Sequence, residues 1–137
     1  MGKVLIPTIG KSGAEAPSAL GGAGLRAFFA IAERWQLRAS EQRRLLGEPP
    51  ESTFYKWKRE RDALLSRDVL ERISYVLGIF KGLQILFPDP LRADAWVRHA
   101  NHAPTFGGQS ALERMLSGNV ADLYVVREYL DAQRGWN

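Results

Sequence analysis

At 137 residues the chain has room for one ordinary domain or two small helical units sharing a core, and none for a large enzyme domain. Its 45% hydrophobic and 25% charged composition is that of a globular protein, and the lack of cysteine excludes disulfides and thiolate metal sites. The net charge of +4 is unevenly placed, with 12 Arg and Lys against 8 Asp and Glu over residues 22–86 but 5 against 6 over residues 87–137. A basic middle suits a nucleic-acid partner, although an ordinary solvated surface fits the charge alone equally well.

Residues 1–21 mix Gly, Pro, Ser and Ala with little periodicity and read as a flexible N-terminal arm. "VLIPTIG" is too short, and too soon broken by Pro7, for a secretory segment, so a cytoplasmic protein is expected. "LIPTIGKSG" fails as a phosphate loop because Leu5 stands where the first glycine is needed. "GGAG", residues 21–24, lacks the preceding strand, and both stretches read as spacers. Leu25, Phe28, Phe29, Ala32 and Trp35 then fall on one helical face. Ser40 offers a cap for "SEQRRLL", which Gly47 ends, and "EPP" forces a turn. Ser52 offers a cap for "TFYKWKRE", whose Phe54, Trp57 and Arg61 share a face. From cap Ser66 a long helix runs with Val69, Leu70, Ile73, Val76, Leu77, Phe80 and Leu83 on a broad apolar arc. Glu71, Arg72 and Lys81 interrupt that run, so it is a core helix and no membrane partner is expected. Gly78 and Gly82, four apart, allow another helix close approach, and Pro88 stops the helix.

Asp89 caps and Pro90 opens a further helix whose Ala93, Trp96, Val97 and Ala100 form an apolar face. In "NHAPTFGGQSALERMLSGN", Ser110 and Glu113 match a capping box. The Phe106-Gly107-Gly108 turn calls for a glycine at positive φ, Gly118 ends the short helix and Asn119 caps the last one. No segment alternates with period two. The expected fold is all-α, a helix-turn-helix-like N-terminal unit followed by a compact C-terminal three-helix unit.

"STFYKWKRER" carries Thr53, Tyr55, Lys56, Lys58 and Arg59 after a tight turn, which supplies hydroxyls for base edges or phosphate and cations for the backbone. A basic surface helix without a DNA role also fits, and Glu48, Glu51 and Glu60 dilute the charge. In the last helix Leu123, Val126 and Leu130 make one apolar stripe and Ala121, Val125, Tyr129 and Ala132 another, so one face is spare for a partner or buried on a second side. His99 and His102 with Asp94 make a weak metal set, and no nucleophile, base and acid stand together. The expectation is no catalytic residue, no metal and no cofactor.

These features resemble the Xre/MbcA/ParS antitoxins over roughly residues 25–134. The most specific part is the order Trp96, Asn101, Phe106, Gly107, Gly108, Ser110, Ala111, Leu112, Glu113 followed by a terminal helix. Ala111 replaces a proline common in the family. Upstream, Leu45, Leu46, Gly47, Thr53, Tyr55 and Trp57 resemble the family's helix-turn-helix, with an extra proline in the turn and a leader that has no counterpart. The resemblance implies an antitoxin that silences a RES-domain, NAD-consuming toxin, binds operator DNA as an autorepressor, and forms a homodimer. It divides the chain into the arm 1–21, a helix-turn-helix domain 22–87 and a toxin-binding domain 88–137. The toxin contacts expected from the terminal helix and tail are Tyr124, Val125, Arg127, Tyr129, Arg134 and Trp136, closing over the toxin's NAD pocket. The alternative is a dimeric helix-turn-helix regulator without a toxin partner.

Overall fold

The computed structural model describes residues 17–135, so the "LIPTIGKSG" stretch and Trp136 lie outside the described residues. Within them the chain is all-α: α1 (Pro17–Arg34), α2 (Ala39–Leu45), α3 (Glu51–Glu60), α4 (Arg67–Leu86), α5 (Pro90–Ala95) continuing into a 3-10 turn (Trp96–Arg98), α6 (Ala111–Met115) and α7 (Val120–Gln133). The described residues hold no strand, only an isolated antiparallel bridge between Ala100 and Ser110. None of the described helices is long and apolar enough to cross a membrane.

The first helix corrects two expectations. It begins at Pro17, inside the segment expected to be an arm, and "GGAG" lies within it as helix, not spacer. Gly21 and Gly22 are buried because the loop after α3 passes directly over them, and a Cβ at Gly21 would collide with the Ala63 carbonyl. The glycines are thus a close-packing surface that local periodicity does not reveal. Two caps also differ. Arg38, not Ser40, precedes α2, because Glu41 reaches back to accept the Arg38 backbone N–H at 2.9 Å. Pro50, not Ser52, precedes α3, its carbonyl accepting from Phe54 N–H at 2.9 Å. Ser66, Asp89 and Ser110 cap as expected, accepting from Val69, Leu91 and Glu113 N–H.

One core runs through the molecule, and α4 is its axis. On one side Ile73, Leu77 and Phe80 meet the Leu25, Phe28, Ile31, Ala32 and Trp35 face of α1, with Phe80 and Trp35 rings 6.3 Å apart. On the other side α7 lies along Gly78 and Gly82. Arg127 fills the space a Cβ would need at Gly78, and Leu130 Cβ comes within 3.6 Å of the Cβ position at Gly82. Two glycines cost the helix about 1 kcal/mol each in propensity, offset here by the burial of Leu123, Val126 and Leu130 that close approach permits.

Candidate functional site

Two outward faces are built on this scaffold. Between α2 and α3 the chain turns through Gly47 at φ +90 and Glu48 at φ +58, with Arg43 Nε donating to the Pro49 carbonyl at 2.6 Å. The turn delivers α3 with Phe54, 1% exposed, tilted against Phe29 at 6.0 Å. Of the shared face of Phe54 and Trp57, Phe54 is fully buried and Trp57 is half-buried against the core. At its C-terminal end Arg61 adopts φ +53, lying over the Phe29 ring at 5.4 Å.

The five residues assigned to DNA do not share one face. Tyr55, Lys56 and Arg59 are exposed together, whereas Thr53 and Lys58 are half-buried on opposite flanks. Lys58 borders a cleft with Phe29, Glu33, Gln36 and Gln42. Because α3 starts two residues earlier than the capping reading of Ser52, that serine becomes helical. It stands exposed in the i, i+3, i+7 row Ser52, Tyr55, Arg59. Sequence reasoning missed it by taking Ser52 for the cap, a position that Pro50 holds.

The second face is organised by the 99–109 loop. Asn101 closes it, donating its N–H to the Gln109 carbonyl at 3.0 Å, accepting from Gly108 N–H at 2.8 Å on its carbonyl and from Ala103 N–H at 2.9 Å on Oδ1. Gly107 and Gly108 hold φ +59 and +92, which lets the chain reverse into the capping box, where Ser110 N–H donates to Glu113 at 2.8 Å. The reversal drives Phe106 inward to 4% exposure, edge-on to Trp96 at 5.9 Å and Tyr129 at 5.0 Å, while Trp96 and Tyr129 stack at 6.3 Å. Arg114 fastens the loop to α7, its guanidinium donating to the Thr105 carbonyl and pairing with Asp122 at 2.9 Å. Asn119 sits at the N-cap of α7, but its side chain accepts no capping hydrogen bond from the helix backbone. Asp122 and Ser117 stabilise that end instead, the hydroxyl donating to the carboxylate.

Of the residues assigned to toxin contact, Val125 and Tyr129 are half-exposed on the outer side of α7, the tyrosine rooted in the Trp96–Phe106 cluster. Tyr124 lies on a different flank, edge-on to Tyr75 at 5.8 Å and donating to Glu128 at 2.7 Å. Arg127 and Arg134 both turn toward α4. Arg127 occupies the Gly78 slot and pairs with Asp131 at 3.5 Å. Arg134, only 9% exposed, pairs with Asp131 at 3.8 Å beside Gly82. Asp94, the third member of the histidine set, instead pairs with Arg34 at 2.7 Å and accepts from Gln84 at 3.0 Å.

A seam of arginines joins the two faces. Arg98 donates to the Gln36 carbonyl at 2.9 Å and to Glu41 at 3.2 Å, holding the start of α2. Arg44, at the other end of α2, donates to the Leu116 and Ser117 carbonyls at 2.9 and 3.1 Å, and Arg72 to Gly118 at 3.0 Å. These carbonyls follow directly on the C-terminal end of α6, a site where cations are favourable. Burial works to raise the Glu41 pKa, but hydrogen bonds from the Arg38 backbone and from Arg38 and Arg98 outweigh it and hold the group below its usual range. The Ser117 hydroxyl, against the opposing effect of burial and with help from Arg114, holds Asp122 low as well.

Residues 15–78 match the family model of the antitoxin Xre-like helix-turn-helix domain, and residues 82–135 that of the antitoxin Xre/MbcA/ParS C-terminal toxin-binding domain. The junction between the two therefore falls inside α4. Over 113 residues, 82% of this chain and 85% of the relative, the chain is 53% identical to a protein of Sinorhizobium fredii (strain NBRC 101917 / NGR234) described as uncharacterized protein y4oB.

Proposed function

Because the chain belongs to the Xre/MbcA/ParS antitoxin family, with that family's helix-turn-helix and toxin-binding domains in order, we propose that it neutralises a RES-domain, NAD-consuming toxin and represses its own operon as a homodimer. Val125 and Tyr129 supply the toxin contact, with the stacked Trp96 ring at the rim, and Arg127 and Arg134 brace α7 from behind. The observation carrying this reading is that α7 buries Leu123, Val126 and Leu130 in its own core yet keeps Val125, Tyr129 and Ala132 part-exposed over an aromatic base. Such a rigid apolar surface suits a partner hot spot. Operator DNA is read by Ser52 and Tyr55 and held by Lys56 and Arg59, with the half-buried Thr53 and Lys58 contributing at the flanks.

Co-expression with the RES-type protein tests both halves. Val125→Asp with Tyr129→Ala should release NAD consumption and leave operator binding intact. Lys56→Ala with Arg59→Ala should leave neutralisation intact and reduce the salt slope of operator binding by about one for each phosphate that is no longer neutralised. Full neutralisation by the first variant would remove α7 from the interface. An unchanged salt slope in the second would remove α3 from the DNA. Operator binding without any toxin association would favour the plain regulator.

A further inference from the structure

The outer face of α4 carries a pattern that neither the DNA face nor the toxin face uses. Arg67, Leu70, Glu71, Ser74 and Tyr75 line a shallow groove of about 320 Å³ along the first two turns of the helix. Arg67 and Glu71 are both exposed, one turn apart, and are not paired with each other. Arg67 makes no ion pair among the described residues, and Glu71 only accepts a hydrogen bond from Tyr75 at 3.3 Å. This contrasts with Arg34, Arg72, Arg114 and Arg127, which all have carboxylate partners. Apolar surface adjoins the two charges: Leu70 and Tyr75 are half-buried, and Tyr124 beside Tyr75 is 46% exposed.

We propose that this face is where two copies of the chain meet, their α4 helices crossing antiparallel about a two-fold axis beside Leu70, so that each Arg67 reaches the Glu71 of the other copy. A two-fold interface needs a surface complementary to itself, and a positive and a negative group flanking one apolar residue on a single helix meet that need. The groove itself, Arg67 to Tyr75, lies in the segment matched by the helix-turn-helix model, away from Val125 and Tyr129, and only Tyr124 beside it comes from α7. This rests on the homodimer reading above and names its surface. A patch of so few side chains makes the dimer concentration-dependent, reinforced where operator half-sites hold two copies together.

Sedimentation of the full chain alone, without toxin or DNA, tests it from about 1 to about 200 μM. The wild type should pass from monomer to dimer. Arg67→Glu and Glu71→Arg should each weaken the dimer about tenfold or more by placing like charges together, and the double reversal should restore it. Both positions are exposed on the helix surface, so helical circular dichroism should stay unchanged. Single reversals that dimerise like wild type, or a double variant that fails to recover, would overturn this surface while leaving the dimer itself standing. A chain monomeric at the highest concentration would overturn both. Toxin neutralisation, measured separately, should be unaffected by any of the three variants.

Discussion

Glu41 and Asp122 are the carboxylates on which acid should act first. Each is held below its ordinary range in the folded chain, Glu41 against burial by the Arg38 and Arg98 hydrogen bonds, Asp122 chiefly by the Ser117 hydroxyl. A depressed folded pKa contributes stability that is complete above the unfolded value and is lost as pH falls through the folded one. Melting temperature should therefore be level near neutrality and fall below about pH 4. Glu41→Gln and Asp122→Asn should each lower the neutral melting temperature by several degrees and flatten the acid decline. Melting profiles against pH check this, and a wild-type slope in both variants would show that other groups carry the acid response. Glu41 was legible in the sequence only as part of a short polar helix. Its role depends on Arg98, 57 positions away, which no local pattern connects to it.

Within α1, two glycines three residues apart should respond to alanine in opposite senses. A Cβ at Gly24 meets Ile73 at 3.6 Å, an ordinary contact, so Gly24→Ala should stabilise the protein by about 0.5–1 kcal/mol through helix propensity. A Cβ at Gly21 runs into the Ala63 backbone, and Gly21→Ala should cost about 1–3 kcal/mol through overpacking. Chemical denaturation of the pair decides it; equal effects would mean that the loop over α1 yields freely. The same contrast explains what the sequence reveals at this scale. α4, the Ser110–Glu113 box and the positive-φ turn at Gly107 and Gly108 were legible because propensity, capping and backbone sterics are local. The start of α1, the caps of α2 and α3, and the inward turn of Arg127 and Arg134 were not. The clearest cases are decided by a neighbour distant in the chain: the loop at Ala63 for Gly21, the bare strip of α4 for the two arginines.

As a whole the molecule has two family domains and one core. α4 serves both, and Arg44, Arg72 and Arg98 bridge from one domain to the other. Unfolding should accordingly be a single cooperative transition, with the slowest-exchanging amides of α1 around Phe28 and of α7 around Val126 protected by the same opening. Hydrogen exchange against denaturant measures this; two separate openings would mean that the seam is superficial. The domain boundaries 22–87 and 88–137 are thus proposals about binding roles, whose physical dividing line would run through the shared helix.

The arginine seam also bears on how such chains can diversify. A recombination joint placed between the two domain matches would cut α4 and separate Arg44 and Arg72 from the Leu116, Ser117 and Gly118 carbonyls they hold. A chimaera would inherit the C-terminal end of α6 from one parent and its cations from the other. New partner specificity is reached more safely by substitution on the outer side of α7, at Val125 and Ala132, where a change of side chain leaves the arginine seam and the Trp96–Phe106–Tyr129 cluster in place.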